Sequence, residues 1–243
     1  MFESIHPATG QCIETFEVWS DAELERVLKE VDDARALWRN TSVQSRAECI
    51  LSLRKLLLAQ SETLARLITD EMGKTLAESH REISKCAELM AYLGTEGPAL
   101  LASESIPVEG ASVSVQYEAL GTVLAIMPWN FPFWQVIRSA IPALLSGNSV
   151  LLKHAPSTQG CARAIERLCI EAGFPARIFT WLPIEPSQAE ALLKSEHIQG
   201  LSFTGSEATG RKLGGIAGSH LKKTVLELGG SDPLIVLEDA SLD

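Results

Sequence analysis

From Ser20 to Leu101, apolar residues return every three or four positions, the spacing of a helix with one buried face. Leu24, Val27, Leu28, Val31 and Ala34 set the first register, opened by a Ser20–Glu23 capping box in which each residue satisfies a backbone N–H of the other. The pattern predicts a second helix over Ser42–Leu58 and a third from Ser61 to Gly73, a residue suited to the left-handed conformation that ends helices. A fourth is predicted over Leu76–Tyr92. Between Ile106 and Ala119 the period falls to two, with Val113, Val115 and Tyr117 alternating against Ser112, Ser114 and Gln116. That alternation predicts a strand pair turning at a glycine.

After Gly121 the two periods take turns. Apolar runs at 122–127, 149–153, 178–182, 198–203, 224–228 and 233–237 predict short strands, and amphipathic stretches at 133–147, 158–172, 186–195 and 207–221 predict helices. Strands alternating with helices mean parallel crossovers. The fold class is therefore α/β: a Rossmann-like parallel sheet over residues 120–243, preceded by a helical part at 1–101 and a bridging hairpin at 102–119. Pro142 predicts a kink or late start in the first crossover helix.

Composition narrows the function classes. A net charge of −10 and a pI near 5.1 argue against nucleic acid, whose binding rests on Lys and Arg neutralising phosphates. No apolar run approaches the ~20 residues that span a bilayer, and MFESIHPATG lacks the charge and apolar pattern of a leader. No membrane partner and a cytoplasmic location are expected. The five cysteines, Cys12, Cys49, Cys86, Cys161 and Cys169, lack metal-ligand spacing, so buried free thiols and no metal are expected.

Four segments carry candidate chemistry. Phe203–Gly210 (FTGSEATG) follows a strand and opens a helix, so its amides could face a phosphate, but its GxxxxG spacing suits a plain turn equally. Lys153 ends a strand at the sheet's carboxyl edge, where ligands bind in open α/β sheets and where a lone lysine is often simply exposed. In Met127–Gln135 (MPWNFPFWQ), Asn130 lies between Pro128 and Pro132 and could aim its amide at a developing oxyanion, or the segment is only a rigid aromatic turn. Glu227 ends an apolar strand before two glycines, a place where scarce solvent would raise a carboxylate toward a useful general base.

MPWNFPFWQ, LLKHAPS, FTGSEATG and LELGGSDP, in this order and spacing, make the chain resemble the cofactor-binding half of NAD(P)-dependent aldehyde dehydrogenases from about His6 to Asp243. LLKHAPS and LELGGSDP are similar to the bacterial succinate-semialdehyde branch. The resemblance implies that Trp129 lies against the cofactor, Asn130 supplies an oxyanion donor and Lys153 binds the adenosine ribose. Gly205, Ser206, Glu207 and Gly210 would form the turn near the pyrophosphate, Leu228 would border the nicotinamide, and Glu227 would activate the water that releases a free acid. Pro156 occupies a position that is commonly glutamate in NAD-preferring members, and Ser157 follows it. Losing that carboxylate favours NADP over NAD. Arg138 matches an arginine that pairs with the substrate's far carboxylate.

In the family the nucleophilic cysteine lies in a GQxC-type segment beyond the glutamate, and no cysteine follows Glu227 here. The expectation is a chain truncated before the catalytic domain, silent alone, with a helical face exposing apolar surface. Its homo-oligomeric assembly would belong to a full-length relative. A nucleotide-binding module without chemistry, or an interaction partner, are the other readings.

Overall fold

The computed structural model describes residues 1–241, and in it the helical period becomes α1 (Asp21–Arg39), α2 (Val43–Ala59), α3 (Ser61–Met72) and α4 (Leu76–Leu100). Both halves of the Ser20–Glu23 capping box form, and Thr75 with Glu78 repeats it at α4. Gly73 ends α3 at φ 84°. Helix α4 continues past Tyr92 to Leu100, through Gly94, Gly97 and Pro98, residues that resemble a stop signal. Gly97 has a packing reason: a Cβ there would lie 2.2 Å from Leu145 Cδ2, so a larger residue would require the Leu145 side chain to move.

Ahead of α1, a segment without periodic signal forms an antiparallel pair, β1 (Phe2–Ile5) and β2 (Cys12–Phe16). Phe2 and Phe16 face each other across it and are buried, and Phe16 meets the Trp181 ring edge-on at 5.7 Å. A second antiparallel pair, β3 (Glu104–Val108) and β4 (Ala111–Val115), is exposed along its whole length.

The main sheet contains β5 (Thr122–Ile126), β6 (Ser149–Lys153), β7 (Phe179–Trp181), β8 (Gly200–Thr204) and β9 (Lys223–Glu227). All pairs are parallel, in the order β7-β6-β5-β8-β9. The crossovers are α5 (Trp134–Leu145), α6 (Gln159–Glu171), α7 (Pro186–Lys194) and α8 (Glu207–Ser219), with a 3-10 turn at Pro156–Thr158 before α6. Pro142 lies inside α5 without delaying its start.

Two cores cover the sheet faces. Ala125, Val150 and Leu152 point to α5, α6 and the α2–α4 layer, whereas Leu124, Leu151 and Leu201 point to α1, α7 and α8. Residues 233–237, expected as a strand, have no regular structure, and Leu234, Ile235, Val236 and Leu237 are exposed. An apolar run becomes a strand only where a neighbouring ladder accepts its N–H and C=O groups, and none of the described strands pairs with it.

Candidate active site

Strand β5 has β6 on one side and β8 on the other, so the chain reverses its direction of winding there. In open parallel sheets the ligand crevice opens at the carboxyl ends of such strands. The Met127–Trp134 turn leaves β5 and the Gly205–Ser206 turn leaves β8, and between them lies a crevice of about 520 Å3. Of the residues singled out in the sequence, Trp129, Asn130, Arg138, Gly205, Ser206, Glu227 and Leu228 line it. Lys153, Pro156 and Ser157 stand apart, at and after the end of β6. Glu207 and Gly210 lie on the first turn of α8, where a Cβ on Gly210 would come within 2.3 Å of Leu228 Cδ2. Glycine there lets the nicotinamide-side candidate Leu228 approach the helix.

Three expectations about these side chains need correction. Glu227 is not desolvated: its side chain is 52% exposed, because β9 is an uncovered edge strand, and Arg138 Nη1 lies 3.4 Å from its carboxylate. Lys153 is the reverse case, only 8% exposed, and among the described residues its ammonium makes no hydrogen bond or ion pair. Burial holds its pKa below the ordinary lysine range, opposed by the charge of Glu185. The thiols are not uniformly buried either. Cys12 is exposed on β2 and Cys49 half-buried, whereas burial pushes Cys86, Cys161 and Cys169 up. None of the five lines the crevice. Exposed apolar residues fall on β9 and 234–237, at Val225, Leu226 and Leu234–Leu237, as well as on helices, at Leu37, Tyr92, Leu100 and Ile170.

Buried polar residues that the motifs did not single out hold the site together. Glu82 of α4, 3% exposed, accepts the N–H groups of Phe133 and Trp134 at 2.8 and 2.9 Å. Glu71 of α3 does the same for Gly160 and Cys161 at the start of α6, both at 2.9 Å. His154 Nε2 lies 3.0 Å from the Pro132 carbonyl, and its Nδ1 accepts the Ala155 N–H at 2.8 Å. A carbonyl only accepts, so the proton is on Nε2. Burial pushes the imidazole pKa down to about 4, against the Pro132 bond, and it is neutral. A signal for the two glutamates exists in the sequence: Glu71 follows Leu64 and Ile68, and Glu82 precedes Cys86 and Met90, on helix faces whose spacing calls for apolar residues.

Whereas internal carboxylates take the first amides of α5 and α6, the N-terminus of α8 beside the crevice has only its own N-cap serine among the described residues. Ser206 Oγ accepts only the Thr209 N–H, and Glu207 is drawn sideways to Arg211. A helix N-terminus without a carboxylate cap and a buried, unpaired lysine on one sheet edge fit a ligand with several phosphates.

These features define a Rossmann-like domain suited to an anionic dinucleotide. The chain belongs to the aldehyde dehydrogenase family, whose profile matches residues 1–243. It is 43% identical over 241 residues to an Escherichia coli (strain K12) protein named as a NAD(P)+ succinate semialdehyde dehydrogenase, covering 99% of this chain and 52% of that protein. A Deinococcus radiodurans protein named as an NADP(+) succinate-semialdehyde dehydrogenase is 40% identical over 242 residues, covering 100% of this chain and 51% of that one. The solved succinic semialdehyde dehydrogenase of Streptococcus pyogenes in complex with NADP+ superposes with a TM-score of 0.94 at 31% identity, covering 99% of this chain and 53% of that one. The chain thus spans about half the length of the relatives it matches.

Proposed function

We propose that this chain supplies the cofactor-binding part of an NAD(P)-dependent oxidation of an aldehyde to its acid, with succinate semialdehyde as substrate and NADP favoured. The observation that carries the reading is Lys153, a largely buried residue whose ammonium has no partner among the described residues, on the same sheet edge as the α8 N-terminus and the Asn130 turn. Lys153 and Ser157 would hold the adenosine ribose, where Pro156 brings no carboxylate to repel a 2′-phosphate. Gly205, Ser206 and Glu207 would meet the pyrophosphate, with Gly210 giving Leu228 room beside Trp129 at the nicotinamide end.

The bound dinucleotide would supply the hydride acceptor. Asn130 would donate an N–H to the aldehyde oxygen as negative charge develops on it. Glu227 would take a proton from the water that releases the acid. Arg138 would pair with the far carboxylate of the substrate, giving up its present contact with Glu227 and freeing that base. The relatives' names support the substrate class and the cofactor.

Titrating the protein with NADP and NAD, followed by calorimetry, tests the cofactor assignment. Binding of NADP at least as tight as NAD is expected, with Lys153→Met weakening it about tenfold or more through loss of a charge-assisted contact. Failure to bind either nucleotide, or no effect of Lys153→Met, would overturn the assignment.

A further inference from the structure

The Asn130 amide forms no hydrogen bond of its own among the described residues, and the residue is exposed. Its direction is therefore set by the backbone of the Met127–Trp134 turn, and that backbone is held from outside. Helix α5 has no side-chain cap from its own N-cap residue, Phe133. Its first amides instead meet one oxygen of Glu82, contributed from the middle of α4. The other oxygen lies 2.5 Å from Lys74 Nζ, with the two side chains 9% and 1% exposed. The same ammonium stands 3.8 Å from the centre of the Phe131 ring, immediately after Asn130. On the opposite side, His154 donates to the Pro132 carbonyl.

The geometry points to Glu82, fixed by Lys74, as a positioning residue: it sets the turn that carries Trp129 and Asn130 and the N-terminal part of α5, which carries Gln135 and Arg138. A carboxylate suits this task because one oxygen takes two convergent N–H groups while the other stays available to a cation. An apolar residue at 82 would leave two amides and the Lys74 charge without partners in a dry setting. The role rests on the cofactor reading above, since what Glu82 places is the nicotinamide end of the crevice. It predicts a division of labour. Disturbing Glu82 affects a ligand that reaches the Asn130 turn and spares one that stops at Lys153.

The test compares intact NADP with its adenosine half, 2′,5′-ADP, on wild type, Glu82→Ala, Glu82→Gln and the double variant Glu82→Gln/Lys74→Met. For Glu82→Ala we expect NADP to weaken about tenfold and 2′,5′-ADP to change by no more than about twofold. Glutamine keeps an oxygen for the two amides but turns its NH2 group toward Lys74, so Glu82→Gln alone falls between. Removing the ammonium as well restores NADP to within about threefold of wild type. Amide resonances of Phe133 and Trp134 report the bond directly: they lie downfield in wild type, move upfield in Glu82→Ala and return in the double variant. Equal losses for both ligands would make Glu82 a purely structural cap and overturn the proposal, as would wild-type NADP affinity in Glu82→Ala. If Glu82→Ala does not fold, the double variant decides, and its failure to recover NADP binding overturns the role. A wild-type protein that binds neither ligand would instead overturn the cofactor reading, and the positioning role with it.

Discussion

Glu71, Glu82, Lys153 and His154 are buried residues of types that are costly to bury, and three of the four are matched to fixed partners. Among the described residues Lys153 alone lacks one, which is the ground for its proposed role toward a ligand. His154 gives a pH prediction. Its folded pKa of about 4 lies below the unfolded value near 6.5, so the unfolded chain takes up a proton first as pH falls. The stabilisation from the neutral ring is complete above about pH 6.5 and is lost progressively toward pH 4. Between pH 7 and 5 this amounts to about 2 kcal/mol. Urea denaturation at the two pH values should show that loss in wild type and not in His154→Gln; parallel losses would refute it. The motifs flagged Lys153 and Glu227 correctly as edge residues, but not their burial. Solvent exposure depends on what covers a strand, and β6 is central whereas β9 is an edge.

Elements meet through the same carboxylates. The helix after β5 and the helix after β6 are each capped by a residue from the α3–α4 layer, so the first hundred residues hold the sheet's ligand edge in place. Glu71 also accepts the Ser4 hydroxyl at 2.5 Å and thereby ties β1 to the α6 entrance. Glu71→Ala is expected to cost about 3 kcal/mol, because two buried N–H groups lose their acceptor. Faster amide exchange in β1 and at Gly160 should accompany it, and a loss below about 1 kcal/mol would remove the capping role. The caps at Ser20 and Gly73 and the alternation of strand and helix were legible because they are local rules. The β1–β2 pair was not, since two short segments with little periodicity gain their order from Trp181 and Glu71 far along the chain.

At the scale of the whole molecule, no cysteine lines the candidate crevice. Cys86, Cys161 and Cys169 are buried, Cys161 and Cys169 within α6, and Cys12 and Cys49 also lie outside the crevice. These 243 residues are therefore expected to form no NADPH from succinate semialdehyde and NADP, as followed by nicotinamide absorbance; sustained turnover would contradict the assignment of roles. The sequence by itself determined the α/β class, the order along the chain of the helices and of the five strands of the parallel sheet, and the identity of the motif residues, because period, capping and turn chemistry act over a few residues. Tertiary structure alone decided three things: that 233–237 is not a strand here, that Glu227 is open to solvent beside Arg138, and that Glu71 and Glu82 serve helices far away in sequence. Each depends on which surfaces meet, and a local pattern of apolar and polar residues records that a face is buried without recording what it is buried against.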